Sequence, residues 1–382
     1  MRLLLLLQGR SPADQPGYHQ AFVDLQARGV IEAYHCLPYL PPGPEASPDP
    51  AHWPALYRRA LQIIADEAID VLMLQWFHGP LEDPRPFLTE ARRLRPHLQV
   101  VTTGGDPYGR WLQRPPPSLF QAASLSDLCF LTSMGYMADA LIARGARNVV
   151  LMPNGACQLR FSAPVVPAAP PAFDVVFIGS HNGGRNPFTR LSRSGRQRAE
   201  MVRQLTRRYG RRFGLFGRNW ADQPAWQGPV AYAEQHRAAA QGRLQLGGFP
   251  GSMAPYYTSD RFYIAMASGV PLLDFRVPRV DRLATPDVHW RAYDSVNSLL
   301  KAVDRTLDQP PETLQDWGRR ARDYVLGAHT QAHRTHEMVD IIQALREARR
   351  LGRPLPPPRL RCFAPGVDPE AEAPLAVRGW TG

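Results

Sequence analysis

The chain alternates short, uniformly apolar runs with longer stretches in which apolar residues recur every three or four positions. The runs Leu3–Leu7, Val71–Leu74, Val100–Thr102, Leu128–Leu131 and Val149–Met152 have the length of strands buried on both faces. Between them, Tyr18–Arg28, Pro54–Ala68, Pro86–Leu94 and Met137–Arg144 carry helical spacing. Strictly alternating strands and helices predict a doubly wound parallel sheet. Ala163–Ala172, APVVPAAPPA, reads as a stiff, extended linker. The alternation then resumes, with strands at Val175–Ile178, Phe213–Phe216, Leu244–Leu246 and Val270–Phe275 and a helix near Arg196–Tyr209. Two long helices follow, Pro311–Gly327 and Gln331–Leu351. The expected organisation is therefore α/β, with a first Rossmann-like domain over 1–162 and a linker over 163–172. A second Rossmann-like domain spans 173–351, and a proline-rich, draped tail closes the chain at 352–382. Two such domains facing across a cleft suit a donor on one lobe and an acceptor on the other.

The segment Thr258–Phe275, TSDRFYIAMASGVPLLDF, carries the most chemistry. Ser259 and Asp260 suit a helix N-cap, Phe262, Ala265, Met266 and Ser268 fall at helical spacing, and Gly269 ends the helix before an apolar strand. A helix start in an α/β domain has unpaired N–H groups and partial positive charge, and Arg261 adds a guanidinium there. Such a place seats a diphosphate; the plainer alternative is that Arg261 only caps its helix. A glycine turn, Gly179-Ser180, follows the strand at Val175–Ile178, with Arg185 nearby as a second counter-charge. In the first lobe, His19 near a helix start, His78 after a strand and Asp106 in Gly104-Gly105-Asp106 are candidates to take a proton from an acceptor hydroxyl, Asp106 and His19 foremost. Asn219-Trp220 and Tyr256-Tyr257 could wall a base or sugar, although aromatic residues at such places more often pack.

Composition narrows the class. A chain of 382 residues, 44% hydrophobic, can bury two ordinary cores. The leucines from Leu3 end at Gln8, short of the ~7–15 residues of an export signal core, and read as a strand. No run reaches the ~20 apolar residues of a membrane helix. Cys36, Cys129, Cys157 and Cys362 are scattered, indicating neither a disulfide framework nor zinc. A cytoplasmic location is expected, at most peripheral to a membrane. The net charge is +11, and eleven arginines with one acid lie between Arg185 and Arg218. Such a block attracts lipid headgroups, anionic glycans or nucleic acid, or is simply a solvated face. Only Phe188, Tyr209 and Phe213 interleave with it, which disfavours nucleic acid.

The Thr258–Phe275 segment resembles the R-x-x-E-x-x-A-x-G stretch of GT-B glycosyltransferases, especially the CgeB-like group of family-1-type transferases. FDVVFIGS (Phe173–Ser180), FGLFGRNW (Phe213–Trp220) and HTQAHR (His329–Arg334) resemble further elements of that group's second domain, in order, over roughly 173–345. VLMPNGACQLRF (Val150–Phe161) is similar to its linker, and TTGGDP (Thr102–Pro107) is the nearest match in the first half. The resemblance implies metal-independent transfer of a sugar from a nucleotide-diphosphate donor, with no cofactor, to an unidentified acceptor held by the first lobe. It places Gly179 and Ser180 beside the donor; together with Arg185, Asn219, Trp220, Tyr256, Arg261, Ser268 and Gly269 they form the expected donor-binding set. One departure stands out: the family's glutamate three residues after the arginine is Ile264 here, and the earlier glutamate of the E-x7-E form falls at Tyr256. The ribose hydroxyls then need another acceptor, Asp260 or Asp274, or the chain is a non-catalytic relative that binds an anionic partner through its arginines. A nucleotide-dependent epimerase on the same fold has no motif of its own here.

Overall fold

The computed structural model describes residues 1–41, 51–76, 83–105, 115–163, 170–181 and 190–382. Among these residues the strands are β1 (Arg2–Leu7), β2 (Ala33–Pro38), β3 (Val71–Leu74), β4 (Gln99–Gly104), β5 (Leu128–Leu131) and β6 (Val149–Leu151). They continue with β7 (Phe173–Ile178), β8 (Phe213–Phe216), β9 (Gly242–Leu246), β10 (Leu272–Phe275), β11 (Trp290–Tyr293) and β12 (Val377–Arg378). The chain divides into two units, the first formed by 1–153, 332–361 and 368–382, the second by 154–331 and 362–367.

In the first unit the strand order is β12-β6-β5-β4-β3-β1-β2. All neighbours are parallel except β12, which runs antiparallel to β6. Leu3–Leu6 pair with Val71–Leu74, and Leu3 to Leu7 are wholly buried, as an unbroken apolar run demands. The run at the chain start is thus an interior strand, flanked by β3 and β2. The edge strand β2, AYHCLP, is half-buried throughout and carries neither an apolar run nor clean alternation, so its sequence hides it.

The second unit has the order β11-β10-β9-β7-β8, all parallel. In both sheets the first strand lies between the second and the third. Winding reverses beside β1 in one unit and beside β7 in the other, and ligands bind at the carboxyl ends of strands at such points. One face of the second sheet packs Val175, Phe177 and Leu273 against Leu205, Val303 and Trp317. The other packs Leu272 against Tyr263, Ile264 and Met266 of the helix Asp260–Ala267, with Ala321 and Val325 behind. The strand β11 and the helix Val296–Leu307, started by a Ser295–Ser298 capping box, complete this unit and were not expected from the sequence.

Two expectations about the chain's end are corrected. The helix Gln331–Leu351 forms where its spacing predicts, but from Ala332 onward the chain belongs to the first unit, not the second. Its apolar stripe is buried there, with Val339, Ile342 and Leu345 at 0% exposure. Arg346 holds the Asp70 carbonyl at 2.9 Å and Arg349 the Asp127 carboxylate at 2.7 Å, just ahead of β3 and β5. The proline-rich end is also no free tail. Val377 and Arg378 pair with Val150 and Val149, Trp380 Nε1 donates to the Leu355 carbonyl at 2.7 Å, and the Thr381 N–H donates to Asn148 Oδ1 at 2.7 Å. It covers what would be an open sheet edge at β6. Among the described residues no helix is long and apolar enough to cross a membrane.

Candidate functional site

In the second unit the carboxyl ends of β9 and β10 and the start of the helix Asp260–Ala267 enclose one pocket. Its polar lining comes from Arg198, Thr258, Ser259, Arg261, Asp274 and the glycine-rich loop Gly247–Gly251. The loop's sequence explains its path. A Cβ at Gly247 would lie 2.1 Å from Asp274 Oδ1, so only glycine lets that carboxylate cross here, and Gly248 takes φ +94°, where a side chain is strained. Two of its carbonyls are already engaged. The Tyr293 hydroxyl donates to Gly248 O at 2.7 Å, Ser194 Oγ to Phe249 O at 2.8 Å, and Arg198 Nη2 to Phe249 O at 3.1 Å. The N–H groups of Gly248, Phe249 and Gly251 have no hydrogen-bond partner among the described residues, leaving an anion-receptive concavity.

Arg198 also donates to the Ser180 carbonyl at 3.3 Å, tying the turn after β7 to the loop after β9. Burial pushes its guanidinium down to about 10, and the charge of Arg261 adds to that shift. Arg261 itself makes no ion pair or side-chain hydrogen bond among the described residues and stands in the pocket as a free cation. The helix start is partly satisfied from within: the Arg261 N–H donates to Asp260 Oδ1 at 2.9 Å and the Phe262 N–H to Ser259 O at 3.1 Å. Ser259 has the extended backbone of an N-cap, yet its hydroxyl caps nothing. Thr258 Oγ1 is buried and unpartnered, on a residue only 5% exposed. A buried hydroxyl left unpaired costs roughly 1–3 kcal/mol, which a bound ligand would relieve.

Asp274 closes the set. Burial pushes its carboxyl up to about 7, opposed by the Phe275 N–H, which donates to Oδ1 at 2.7 Å, and by the charges of Arg261 and Arg198. No other hydrogen bond reaches it among the described residues. An acid perturbed by desolvation, beside an arginine without an ion pair and in a crevice at the carboxyl ends of parallel strands, makes this the candidate ligand site. The other candidate, Asp260, is already engaged, holding its own helix and the buried Tyr232 hydroxyl.

The sequence-predicted residues separate into three groups. Arg261 lines the pocket, and Gly179 and Ser180 lie beside it through the Ser180–Arg198 bond. The Gly179 N–H is spent on the Phe216 carbonyl at 2.8 Å and is not available to a phosphate. Trp220 is no ligand wall: it is 2% exposed, and its Nε1 donates to the Gly179 carbonyl at 2.7 Å. Asn219 likewise braces the turn, donating to the His181 carbonyl at 3.2 Å. Tyr256 is fully buried against Phe363, and its neighbour Tyr257 is the residue that faces the pocket. Ser268 and Gly269 end the helix one and two residues past Ala267, away from the pocket. Ser268 Oγ bonds the Ala265 carbonyl, and Gly269 packs against Gly318. Ile264 is 2% exposed within the core, so nothing polar is held from that position. His19 Nδ1 lies 3.1 Å from the Tyr34 hydroxyl on the edge strand β2, and desolvation lowers its pKa. It does not line the first unit's own pocket, where Tyr18, Phe22, Trp76 and Gly104 meet at the carboxyl ends of β1, β3 and β4. Asp106, His78 and Arg185 lie outside the described residues.

The arginine block is less basic at the surface than its count implies. Arg203 pairs with Glu200, Arg208 with Asp304 and Arg212 with Asp174, while Arg198 points into the pocket. Sequence reasoning missed Thr258, Arg198 and the Gly247–Gly251 loop. The signal was present for the loop, since Gly247-Gly248 directly follows the apolar run Leu244–Leu246, as Gly179 follows its own strand. Among the described residues no group of three or more His, Cys, Asp or Glu side chains is placed to hold a metal ion.

Residues 195–340, which take in most of the second unit and the first half of the helix Gln331–Leu351, match the family described as Glycosyl transferase-like. The chain has the GT-B glycosyltransferase fold. It superposes on the sucrose-phosphate synthase of Thermosynechococcus elongatus with a TM-score of 0.61 at 14% identity, covering 91% of this chain and 100% of that one. HepE of Anabaena, solved with UDP and glucose, gives 0.57 at 11% identity, covering 90% and 100%. The lipopolysaccharide outer core galactosyltransferase WaaB gives 0.54 at 10% identity, again covering 90% and 100%. A search of curated protein sequences finds no match.

Proposed function

We propose that this glycosyltransferase-like chain transfers a sugar from a nucleoside-diphosphate donor seated in the second unit's pocket. The observation that carries the reading is the juxtaposition of the free Arg261 guanidinium with the unpaired N–H groups of Gly248, Phe249 and Gly251 and the unpaired Thr258 hydroxyl. Together they offer positive charge and hydrogen-bond donors, with few competing acceptors, to a diphosphate. As the glycosidic bond breaks, negative charge grows on the departing diphosphate, and a preorganised arginine beside fixed amide dipoles stabilises it most at that moment. Arg198 positions this apparatus by locking the two loops together, and is not itself the counter-charge. A reaction of this kind consists largely of placement and charge stabilisation, and the reading assigns neither metal nor cofactor to it. That HepE is solved with UDP and with UDP-glucose supports a nucleotide donor of the same class. Acceptor recognition falls to the first unit, and the acceptor's chemistry is open.

Thermal unfolding with UDP, GDP, dTDP, ADP and CDP, for wild type and Arg261→Ala, tests this. A ligand at 100 times its Kd adds about 2.7 kcal/mol of stability, a shift of several degrees. One nucleotide should stabilise the wild type, and Arg261→Ala should weaken it ~10–100-fold, the worth of a charge-assisted hydrogen bond. Stabilisation by none of the five would refute the proposal.

A further inference from the structure

Asp274 is unexplained by a diphosphate seat, since a carboxylate repels one. Among the described residues it is the one carboxyl group lining the pocket, and it presents an oxygen without a protein partner there. The fold spends two features on keeping it there. Gly247 gives up a side chain so that the carboxylate can cross the loop, and Asp274 is the penultimate residue of β10, at the carboxyl end of the strand. Among the described residues no cation forms an ion pair with it, and the nearby charges of Arg261 and Arg198 only partly offset the cost of its burial. A half-buried carboxylate whose one protein donor among the described residues is the Phe275 N–H, in a crevice built otherwise of donors, calls for donors from the ligand.

Resting on the donor-site reading above, we propose that Asp274 is the hydroxyl acceptor of this site, receiving a vicinal pair of hydroxyls from the bound donor. Two carboxylate oxygens suit two adjacent hydroxyls, and the ribose and the transferred sugar both present such a pair. The assignment places on a strand end the role that Ile264, sunk in the core, cannot perform. It also sets a pH dependence of known direction. Only the ionised carboxylate accepts from both hydroxyls, so binding should tighten as pH rises through about 7, where burial has lifted this group. The groups that face it from the packed elements are Arg198 from the helix Arg190–Tyr209, Arg261 from the helix Asp260–Ala267, and the Tyr257 and Tyr293 hydroxyls. Arginine stays charged across this range, and burial raises Tyr293 above its ordinary value, so Asp274 is the member of the set that changes.

Calorimetric titration of wild type and Asp274→Asn separates the outcomes. The probes are UDP, GDP, ADP and CDP, each against its 2′-deoxy form and its glucose conjugate. If the hydroxyls come from ribose, the deoxy form binds wild type ~10–100-fold more weakly, and that penalty disappears in Asp274→Asn. If they come from the sugar, the deoxy penalty is absent, and the gain of the glucose conjugate over the bare diphosphate disappears in the variant instead. The pH arm uses wild type and the glucose conjugate, because a terminal phosphate titrates near pH ~6 itself. Affinity should rise about tenfold between pH 6 and 8. Equal binding of every probe by both proteins, or affinity that falls with pH, overturns the assignment while leaving the nucleotide site intact. Failure of wild type to bind any nucleotide overturns the site itself, and the assignment with it.

Discussion

Replacing Asp274 by asparagine should stabilise the unliganded protein above neutral pH. In the folded chain burial lifts this carboxyl from 3.8 to about 7. Between those values the folded protein keeps a proton that the unfolded chain has released. The associated stability is therefore complete below the unfolded value and is lost as pH rises through the folded one. About two units of the gap fall within pH 5–8, worth roughly 3 kcal/mol at 1.36 kcal/mol per unit. Partial exposure of the carboxylate to the pocket lowers this to ~2 kcal/mol. Asparagine has the same shape and does not titrate. Urea unfolding of both proteins across that pH range isolates the effect, since all other titrating groups contribute to both curves alike. Asp274→Asn should gain ~2 kcal/mol on wild type between pH 5 and 8. A difference that does not change with pH would refute the reasoning, because it would mean that the ionised carboxylate is as well solvated in the fold as in water. On the proposed assignment the outcome is also a trade: the group that weakens the empty protein would be the one that holds the donor's hydroxyls.

Other consequences follow from the same geometry. Gly247→Ala puts a Cβ 2.1 Å from Asp274 Oδ1 and should cost ~1–3 kcal/mol in urea unfolding while flattening the pH dependence just described; unchanged stability would show that the carboxylate does not lie over the loop. Trp220→Phe removes the Nε1 bond to the Gly179 carbonyl and should lower stability by ~2–3 kcal/mol, whereas a loss below ~0.5 kcal/mol would contradict its bracing role. Deleting 368–382 uncovers β6 and should raise self-association above that of the full chain in light scattering; equal scattering would mean that β12 does not guard this edge.

Much of the fold was legible because buried parallel strands announce themselves. β3, β5 and β8 lie at the residues their apolar runs mark, and the helix Gln331–Leu351 begins and ends as its spacing predicts. What the pattern could not supply was long-range partnership. Nothing local says that a helix continuous in sequence with the second unit buries its stripe on the first, since the decisive contacts, such as Arg346 to Asp70, span most of the chain. The edge strands β2 and β12 were hidden for a related reason: an edge needs little apolarity, so composition there resembles a loop.

The site was read unevenly. Arg261, which lines the pocket, could be named because a cation at a helix start has a physical meaning on its own. Trp220 and Tyr256 were misplaced because an aromatic residue looks the same in sequence whether it packs or stacks a ligand, and only burial decides. Arg198 was lost in a run of arginines, where nothing local separates the one that turns inward. Asp274 could be named as a possible acceptor, but its claim rests on Gly247, 27 residues away, and on the sheet that brings the two together.

The most direct test of the donor site is a crystal structure of the protein with the nucleoside diphosphate that stabilises it. The diphosphate should lie within hydrogen-bonding distance of Arg261 and of the N–H groups of Gly248 to Gly251, with the Thr258 hydroxyl newly partnered. A nucleotide bound elsewhere, with Arg261 and this loop still unoccupied at saturating ligand, would contradict the account.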